Sequence, residues 1–374
     1  MFAARSPRSL ARVDGNTTRP SRALDTALCR LTGIEHPIVQ TGMGFVSDAS
    51  LTAATAAAGG LGIIAAAMMD LPELEQAIVA VQERTDRPFG VNLRSDAPDV
   101  MDRARLLIDG RVRVASFALA PDRTVIELLK EAGTVCVPSI GAVRHAVKVA
   151  AWGVDAVIVQ GGEGGGHTGA VPTSVLLPQV VDAVDIPVVA AGGFFDGRGL
   201  VAALSYGAAG IAMGTRFLLT SDSPVPAATK AAYVAAAVGD TVVTSSVDGA
   251  PHRMIRTPMV DELDRPGHLR ALRSAARNAI AFKRLSGRGW SDIVRQGLTL
   301  RREHGYGWRQ VVMAANAPML CRAAMVEGRL DVGILSSGQV VGLIDDLPTC
   351  AELIERIVAE ANAVIAGLTG GADR

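Results

Sequence analysis

The sequence predicts an α/β fold, a TIM (β/α)8 barrel with a helical insertion after its eighth strand, and three observations carry that prediction. Eight short apolar runs succeed one another between Pro37 and Leu218. Each leads into a glycine-containing loop and then an amphipathic stretch, the rhythm of βα units around a parallel sheet. The composition is 49% hydrophobic but only 4% aromatic, as when alanine- and valine-rich strands are buried on both faces.

The runs are PIVQTG (Pro37–Gly42), LGIIAAA (Leu61–Ala67), FGVNL (Phe89–Leu93), VASFAL (Val114–Leu119), TVCVPSI (Thr134–Ile140), AVIVQGG (Ala156–Gly162), PVVAAGGF (Pro187–Phe194) and GIAMGTRFL (Gly210–Leu218). Helices fit between them. DLPELEQAIVAVQER opens on Asp70 as N-cap, and AVRHAVKVAAWG closes on Gly153, where a C-cap glycine belongs. An open doubly wound sheet is the rival, but it carries its glycine-rich phosphate turn after the first strand, whereas the glycine loops here come late. The expected organisation is a flexible N-terminal tail over 1–30, a barrel over 31–220, a helical insertion or cap over 221–330, and a segment over 331–374 that returns to the barrel with a helix starting near Pro348. HLRALRSAARNAIAFKRL in the insertion has a basic side, which reads either as a solvated face or as a patch for a phosphorylated substrate tail.

Lysine plus arginine and aspartate plus glutamate each total 37, so net charge gives no argument for nucleic acid or an anionic membrane surface. Four separated cysteines without a CxxC pair suggest neither a zinc site nor a disulfide framework. The start has no apolar secretory segment, and no run is long enough to span a bilayer. A cytoplasmic protein acting on a small molecule is the expectation.

In such a barrel the active site lies at the C-terminal ends of the strands, and a phosphate is often gripped after strands seven and eight. Gly192 and Gly193 end the seventh run, and Gly214 with Thr215 ends the eighth. Backbone N–H groups free of Cβ atoms can approach phosphate oxygens there. A helix over Asp196–Tyr206 would add its N-terminus. One glycine pair alone is equally explained by a tight turn, but two adjacent pairs, with Asn92 ending the third run, outline a rim for a ligand with a phosphate and a polar ring. The most distinctive segment is QGGEGGGHTG (Gln160–Gly169), where glycines and Glu163 surround His167. An imidazole in a loop at the catalytic end can exchange a proton near neutral pH. Glu163 could brace the loop, bond His167 or face water. The other five histidines, His36, His145, His252, His268 and His304, share no ligand spacing, so no metal is assigned, and GxSxG and P-loop motifs are absent.

PIVQTGMGFVSD, GGLGIIAAA, FGVNL, GVDAVIVQGGEGGGHTG, VVAAGGFFDGRG and AMGTRFL together resemble the nitronate monooxygenase (2-nitropropane dioxygenase-like) family, which includes flavin-dependent enoyl reductases. The resemblance covers about Gly33–Phe217 and the tail around Ser337–Leu347. It implies non-covalent FMN lined by Gln40, Gly42, Met43 and Gly44, with Asn92 at the ring's polar edge and Gly192, Gly193, Gly214 and Thr215 at the phosphate. It places His167 near the reactive face of the flavin, beside Gln160 and Gly161, and makes Gly338 and Gln339 another flavin-side turn. QTGMGFV lies closer to the enoyl-reductase and acyl-CoA branches than to the nitronate oxidases, whose first strand ends in an APM-like turn. The insertion, with VDGAPHRMIRTPMVDEL and MAANAPML, resembles an actinobacterial subgroup of steroid-ring degradation acting on a hydroxylated methyl-oxo-indane carboxyl-CoA.

Three readings follow. The first is hydride transfer next to the thioester of a bulky CoA substrate, with His167 handling a proton and Arg253 or Arg256 meeting CoA phosphates. The second is oxidation of alkyl nitronates with dioxygen, and the third is non-redox phosphosugar binding. No dinucleotide fingerprint is visible, so NADH or NADPH would serve as a transient hydride donor or acceptor over the flavin. A homo-oligomer is compatible with the sequence.

Overall fold

The structure is a computed structural model that describes residues 22–118, 121–264 and 316–370. Its centre is a closed parallel barrel in the order β1-β2-β3-β4-β5-β6-β8-β9. The strands are β1 (Ile38–Gln40), β2 (Leu61–Ala65), β3 (Gly90–Arg94), β4 (Val114–Ala118), β5 (Val135–Ile140), β6 (Val157–Gln160), β8 (Val188–Ala191) and β9 (Gly210–Met213). Each falls within, or one residue beyond, one of the eight apolar runs. β1 closes the ring by pairing with β9, Val39 opposite Ala212.

Strand alternation sorts the side chains into two cores. Val39, Leu61, Ile63, Val114, Val137, Ile158, Val189 and Ala212 fill the barrel interior. Ile38, Ile64, Val91, Leu93, Val157, Val159, Val188 and Ile211 face outward, packed under the helices. Leu28, Cys29 and Ile34 join the interior cluster, so the helix Ala27–Thr32 plugs one end of the barrel. The flexible tail expected over 1–30 therefore ends earlier: Leu24 and Leu28 are fully buried and tie residues 22–30 to the core. The rest of that expected tail lies outside the described residues.

The expected caps are present. Asp70 accepts from the Glu73 N–H while Glu73 returns a bond to the Asp70 N–H, starting the helix Leu71–Gln82. Gly153 follows the helix Val143–Ala151 at φ +84°, a left-handed conformation that glycine adopts without strain. Thr349 caps the long C-terminal helix Cys350–Thr369, which packs on the helix Gly197–Ser205. That contact is close enough for a Cβ on Gly197 to meet the Ala361 nitrogen at 2.4 Å.

The insertion expected to be helical contains helices and strands. After the helix Ala227–Val234 it forms a hairpin of β10 (Thr241–Thr244) and β11 (His252–Ile255), and β11 pairs antiparallel with β7 (Gly166–His167) from the barrel's glycine loop. Val247, Met254, Val260, Leu320 and Ile334 give this region a small core of its own. The basic segment HLRALRSAARNAIAFKRL lies outside the described residues. β-branched and alternating residues in TVVT and HRMI favour strands, but the runs are too short to stand out from loop without the partner strand. No helix among the described residues is long and apolar enough to cross a membrane.

Gly62 sits where β2 presses on the preceding helix Ala49–Ala57, and a Cβ there would lie 2.2 Å from the Thr52 carbonyl oxygen. Gly62→Ala is expected to destabilise the fold by about 2–3 kcal/mol, because neither backbone can give way cheaply. A urea-unfolding midpoint equal to that of the parent protein would contradict this packing.

Candidate active site

The mouth of the barrel is built around the loop that follows β6. Gln160 takes the inward side of the alternation set by Ile158, and its amide donates to the His167 carbonyl at 2.8 Å, drawing the two ends of the loop together. Glu163 braces the loop by accepting from the Thr173 N–H and hydroxyl at 2.8 and 2.7 Å, and so caps the helix Thr173–Val181. It makes no bond to His167. Gly161 is dictated by the same helix: a Cβ would lie 2.0 Å from Thr173 Oγ1.

Two further segments clamp the loop. The turn at Ser337–Gln339 sits against it, with Gln339 N donating to the Glu163 carbonyl and Gly338 N donating to Thr215 Oγ1, both at 3.0 Å. A Cβ on Gly165 would lie 2.5 Å from the Gly338 nitrogen. From the other side Arg253 spends its guanidinium on the Gly162 carbonyl at 2.9 Å and on Thr241 Oγ1 at 3.1 Å. Arg253 therefore holds the loop, and the expectation that it meets CoA phosphates is corrected. Arg256 is exposed, 3.6 Å from Asp261.

Gly192 and Gly193 leave β8 with φ of +93° and +89°, and the Glu163 side chain is the nearest group to a Cβ on Gly193, at 3.6 Å. Glu163, Gly193, Gly338 and Thr215 thus gather at one side of the mouth. The N–H groups of Gly193 and Thr215 meet no acceptor among the described residues. The expected contribution of the helix after Asp196 is not available. Its Gly197 and Gly199 N–H groups already donate to the Glu360 and Asp196 carboxylates, at 2.9 and 3.0 Å. Two carboxylates there oppose an anion instead of attracting one.

Asn92 lies on the inward side of β3, between the outward Val91 and Leu93, and donates to Ser116 Oγ at 3.1 Å, which leaves its carbonyl oxygen without a partner among the described residues. Gly42 crosses it so closely that a Cβ would fall 2.6 Å from Asn92 Cβ. Met43 Sδ lies 3.3 Å from where a Cβ of Gly214 would stand, and Gly44 is exposed with open space around it. Gln40 is different. It follows the outward-facing Ile38, is fully buried, and spends its amide on the Thr41 and Ile63 backbone and on Ser47 Oγ. Its side chain joins β1 to β2 and has nothing left for a ligand, which corrects the expectation that it lines one.

His167 projects from β7 with its side chain 62% exposed. Its Nε2 lies 2.6 Å from Oδ2 of Asp248, a residue of the β10–β11 turn that sequence reasoning did not single out. Asp248 is buried, which raises its carboxyl pKa, but the His167 hydrogen bond and charge and the Ala250 N–H outweigh burial and bring it below the usual value. His252, opposite His167 in the strand pairing, stacks with a ring-centroid distance of 4.9 Å and a tilt of 52°. Its Nε2 is 2.7 Å from Ser336 Oγ. Burial first, then the neighbouring His167, push its pKa down to about 4 against the pull of Asp248. His167, Asp248 and His252 each bring a ligand-type atom within 4.8 Å of the others. The 2.6 Å Nε2–Oδ2 contact is shorter than the edge of about 3.3 Å that bonds near 2.0 Å would give in a tetrahedral site, so it is a hydrogen bond and not a chelate.

With this geometry in hand, the profile of the nitronate monooxygenase family matches residues 25–109 and 103–360. The chain belongs to that family. It is 59% identical over 338 residues to a (3aS,4S,5R,7aS)-5-hydroxy-7a-methyl-1-oxo-octahydro-1H-indene-4-carboxyl-CoA dehydrogenase of Rhodococcus jostii, covering 90% of this chain and 96% of the relative. A Mycobacterium tuberculosis protein of the same name is 60% identical over 341 residues, with the same coverages. A probable nitronate monooxygenase of Staphylococcus saprophyticus is 34% identical over 288 residues, 64% of this chain and 81% of that one. Among solved structures, FabK from Thermotoga maritima aligns with a TM-score of 0.74 and 35% identity, covering 92% of this chain and 98% of FabK. The nitroalkane oxidase of Streptomyces ansochromogenes aligns at 0.70 and 29%, over 92% of this chain and all of that one. The protein is an oxidoreductase.

The depressed His252 pKa has a consequence for stability. The group is about 6.5 when unfolded and about 4 when folded, so below 6.5 protons bind the unfolded chain preferentially. Its contribution is complete above pH 6.5 and is lost as pH falls toward 4, amounting to about 3 kcal/mol from the size of the shift. His252→Gln should flatten the fall in stability between pH 6.5 and 4 in chemical denaturation. A variant that follows the parent curve across that window would show that His252 is not buried as a neutral ring.

Proposed function

We propose that the protein is an FMN-dependent dehydrogenase of a bulky hydroxyacyl-CoA thioester, of the fused-ring hydroxy-oxo-indane class of steroid-ring catabolism. The observation that carries this reading is the exposed imidazole of His167 fixed in the same glycine loop that borders the Gly192–Gly193 turn. The residues present suit FMN. Left-handed glycines and the N–H groups of Gly193 and Thr215, unpaired among the described residues, offer a phosphate its hydrogen bonds, and the Asn92 oxygen, likewise without a described partner, and the Gly42–Gly44 rim suit a polar ring edge. When bound, FMN supplies a two-electron acceptor.

In the substrate named for the two relatives at 59% and 60% identity, the hydroxyl and the carboxyl-CoA stand on adjacent ring carbons, C5 and C4. On this reading the carbinol carbon gives up its hydrogen with the electron pair and the hydroxyl proton passes to His167, leaving a ketone. The bond broken on this reading is at C5, one carbon beyond the position next to the thioester that the sequence suggested. His167 orients the hydroxyl and takes its proton; Gln160, Glu163 and Arg253 keep the loop in place for that transfer. Arg256, exposed beside Asp261, is the basic group this reading assigns to a CoA phosphate. NAD(P)+ in transient contact, or dioxygen, takes up the electrons afterwards. A second reading, oxidation of alkyl nitronates, is favoured by the Staphylococcus and Streptomyces relatives, but these share less sequence.

Anaerobic mixing with a 3-hydroxyacyl-CoA thioester is expected to bleach the yellow flavin bands of the FMN-loaded protein. Bands that persist there but bleach with propionate-3-nitronate would replace the first reading by the second. His167→Ala should keep FMN and lose about 100-fold or more in turnover, as for removal of a general base. Gly193→Val should instead lose FMN, since a β-branched residue is strained at φ +89° and crowds the phosphate approach. Full FMN occupancy in that variant would contradict the placement.

A further inference from the structure

We propose that Asp248, delivered by the insertion's hairpin, is a positioning residue for His167: its carboxylate takes the Nε2–H and so leaves Nδ1 as the atom that accepts the substrate proton. The inference rests on the reading of His167 as the base and extends it to a region far along the chain. An imidazole has two nitrogens, and the partner of one decides which of them is basic. Nε2 lies 2.6 Å from Asp248 Oδ2, while Nδ1 has no partner among the described residues and the side chain is 62% exposed. A buried carboxylate is an acceptor only, so the proton of the neutral ring must sit on Nε2.

Asp248 is held for this task. The Ala250 N–H donates to its Oδ1 at 3.1 Å, and Thr168 N donates to the Pro251 carbonyl at 3.1 Å, fixing the turn against the strand that bears His167. Among the described residues, the charged and titratable groups around His167 are Asp248, His252 and Arg253 from the hairpin, with Glu163 on the loop. Glu163 is committed to Thr173 and Arg253 to the Gly162 carbonyl. His252 is engaged with Ser336 and stays neutral well below pH 7, so it adds no repulsion when His167 takes up a proton. Of the two histidines on this sheet, burial and hydrogen bonding leave only His167 fit to exchange protons.

Asp248→Asn tests this with almost no change of shape. The Ala250 N–H keeps an amide oxygen at the Oδ1 position, so the NH2 group turns to His167 Nε2. Nε2 must then accept, and the ring proton moves to Nδ1. The expected result is a fall in kcat of about 100-fold or more with KM and FMN occupancy little changed, as when a triad aspartate is replaced by asparagine. Nitrogen-15 NMR of histidine-labelled unmodified protein, with His167→Gln for assignment, should show the His167 proton on Nε2. A proton on Nδ1 overturns the proposal even if Asp248→Asn fails to fold. Loss of turnover in His167→Ala with near-parent kcat in Asp248→Asn overturns it while leaving the dehydrogenase reading intact. Full turnover in His167→Ala would remove both.

Discussion

The structure of the site depends on one constraint, the pairing of a glycine loop that cannot hold its own shape with a hairpin about 80 residues downstream. A run such as GGEGGGH has almost no side chains to pack and a large conformational entropy to lose. Its shape must therefore be imposed from outside. The barrel contributes Gln160 across the loop, the next helix is fastened by Glu163, the C-terminal turn closes from one side, and β11 pairs from the other. Asp248 and Arg253 are the side-chain part of the same clamp, one on the imidazole and one on the loop carbonyl. The glycines follow from this crowding. Gly161, Gly164 and Gly165 each lie so near a neighbouring chain segment or side chain that a Cβ would fall within 2.6 Å of it.

The same clamp divides the labour between two histidines of one sheet. His167 and His252 stand opposite each other, yet one is exposed with a carboxylate behind it and the other is buried against a serine hydroxyl. Desolvation disfavours the charged ring at His252, whereas the His167 ring keeps its Nε2 hydrogen-bonded to a buried carboxylate. In the proposed function the barrel holds the cofactor and the insertion supplies the partner of the base, so the proposed chemistry lies where the two meet.

Much of the barrel was legible because its signals are local. Eight apolar runs, the Asp70 capping box and the glycine after Ala151 and Trp152 all depend on neighbours in sequence. His167 was legible for the same reason, as the one titratable ring in a glycine loop at a strand end. Gln40 misled because a polar residue at the end of β1 reads as facing the mouth, when the phase set by Ile38 turns it outward toward Ser47. The helix at Gly197 misled because the carboxylate of Glu360, 163 residues away, already occupies its N-terminus. Asp248 was invisible for a related reason: VDGAPH reads as an ordinary turn, and only long-range strand pairing brings its carboxylate to an imidazole. Alternation phase at a three-residue strand and contacts across such distances are settled by closure of the whole ring.

The central claim is that one mouth holds a phosphate at its glycine turns and a reacting hydroxyl at His167. A crystal structure of the FMN-loaded protein with a 3-hydroxyacyl-CoA thioester measures both at once. The account predicts a flavin phosphate within about 3.2 Å of the Gly193 and Thr215 nitrogens, and the substrate hydroxyl within about 3.2 Å of His167 Nδ1. A phosphate bound away from both turns, or a hydroxyl too far from His167 for any hydrogen bond, would contradict it.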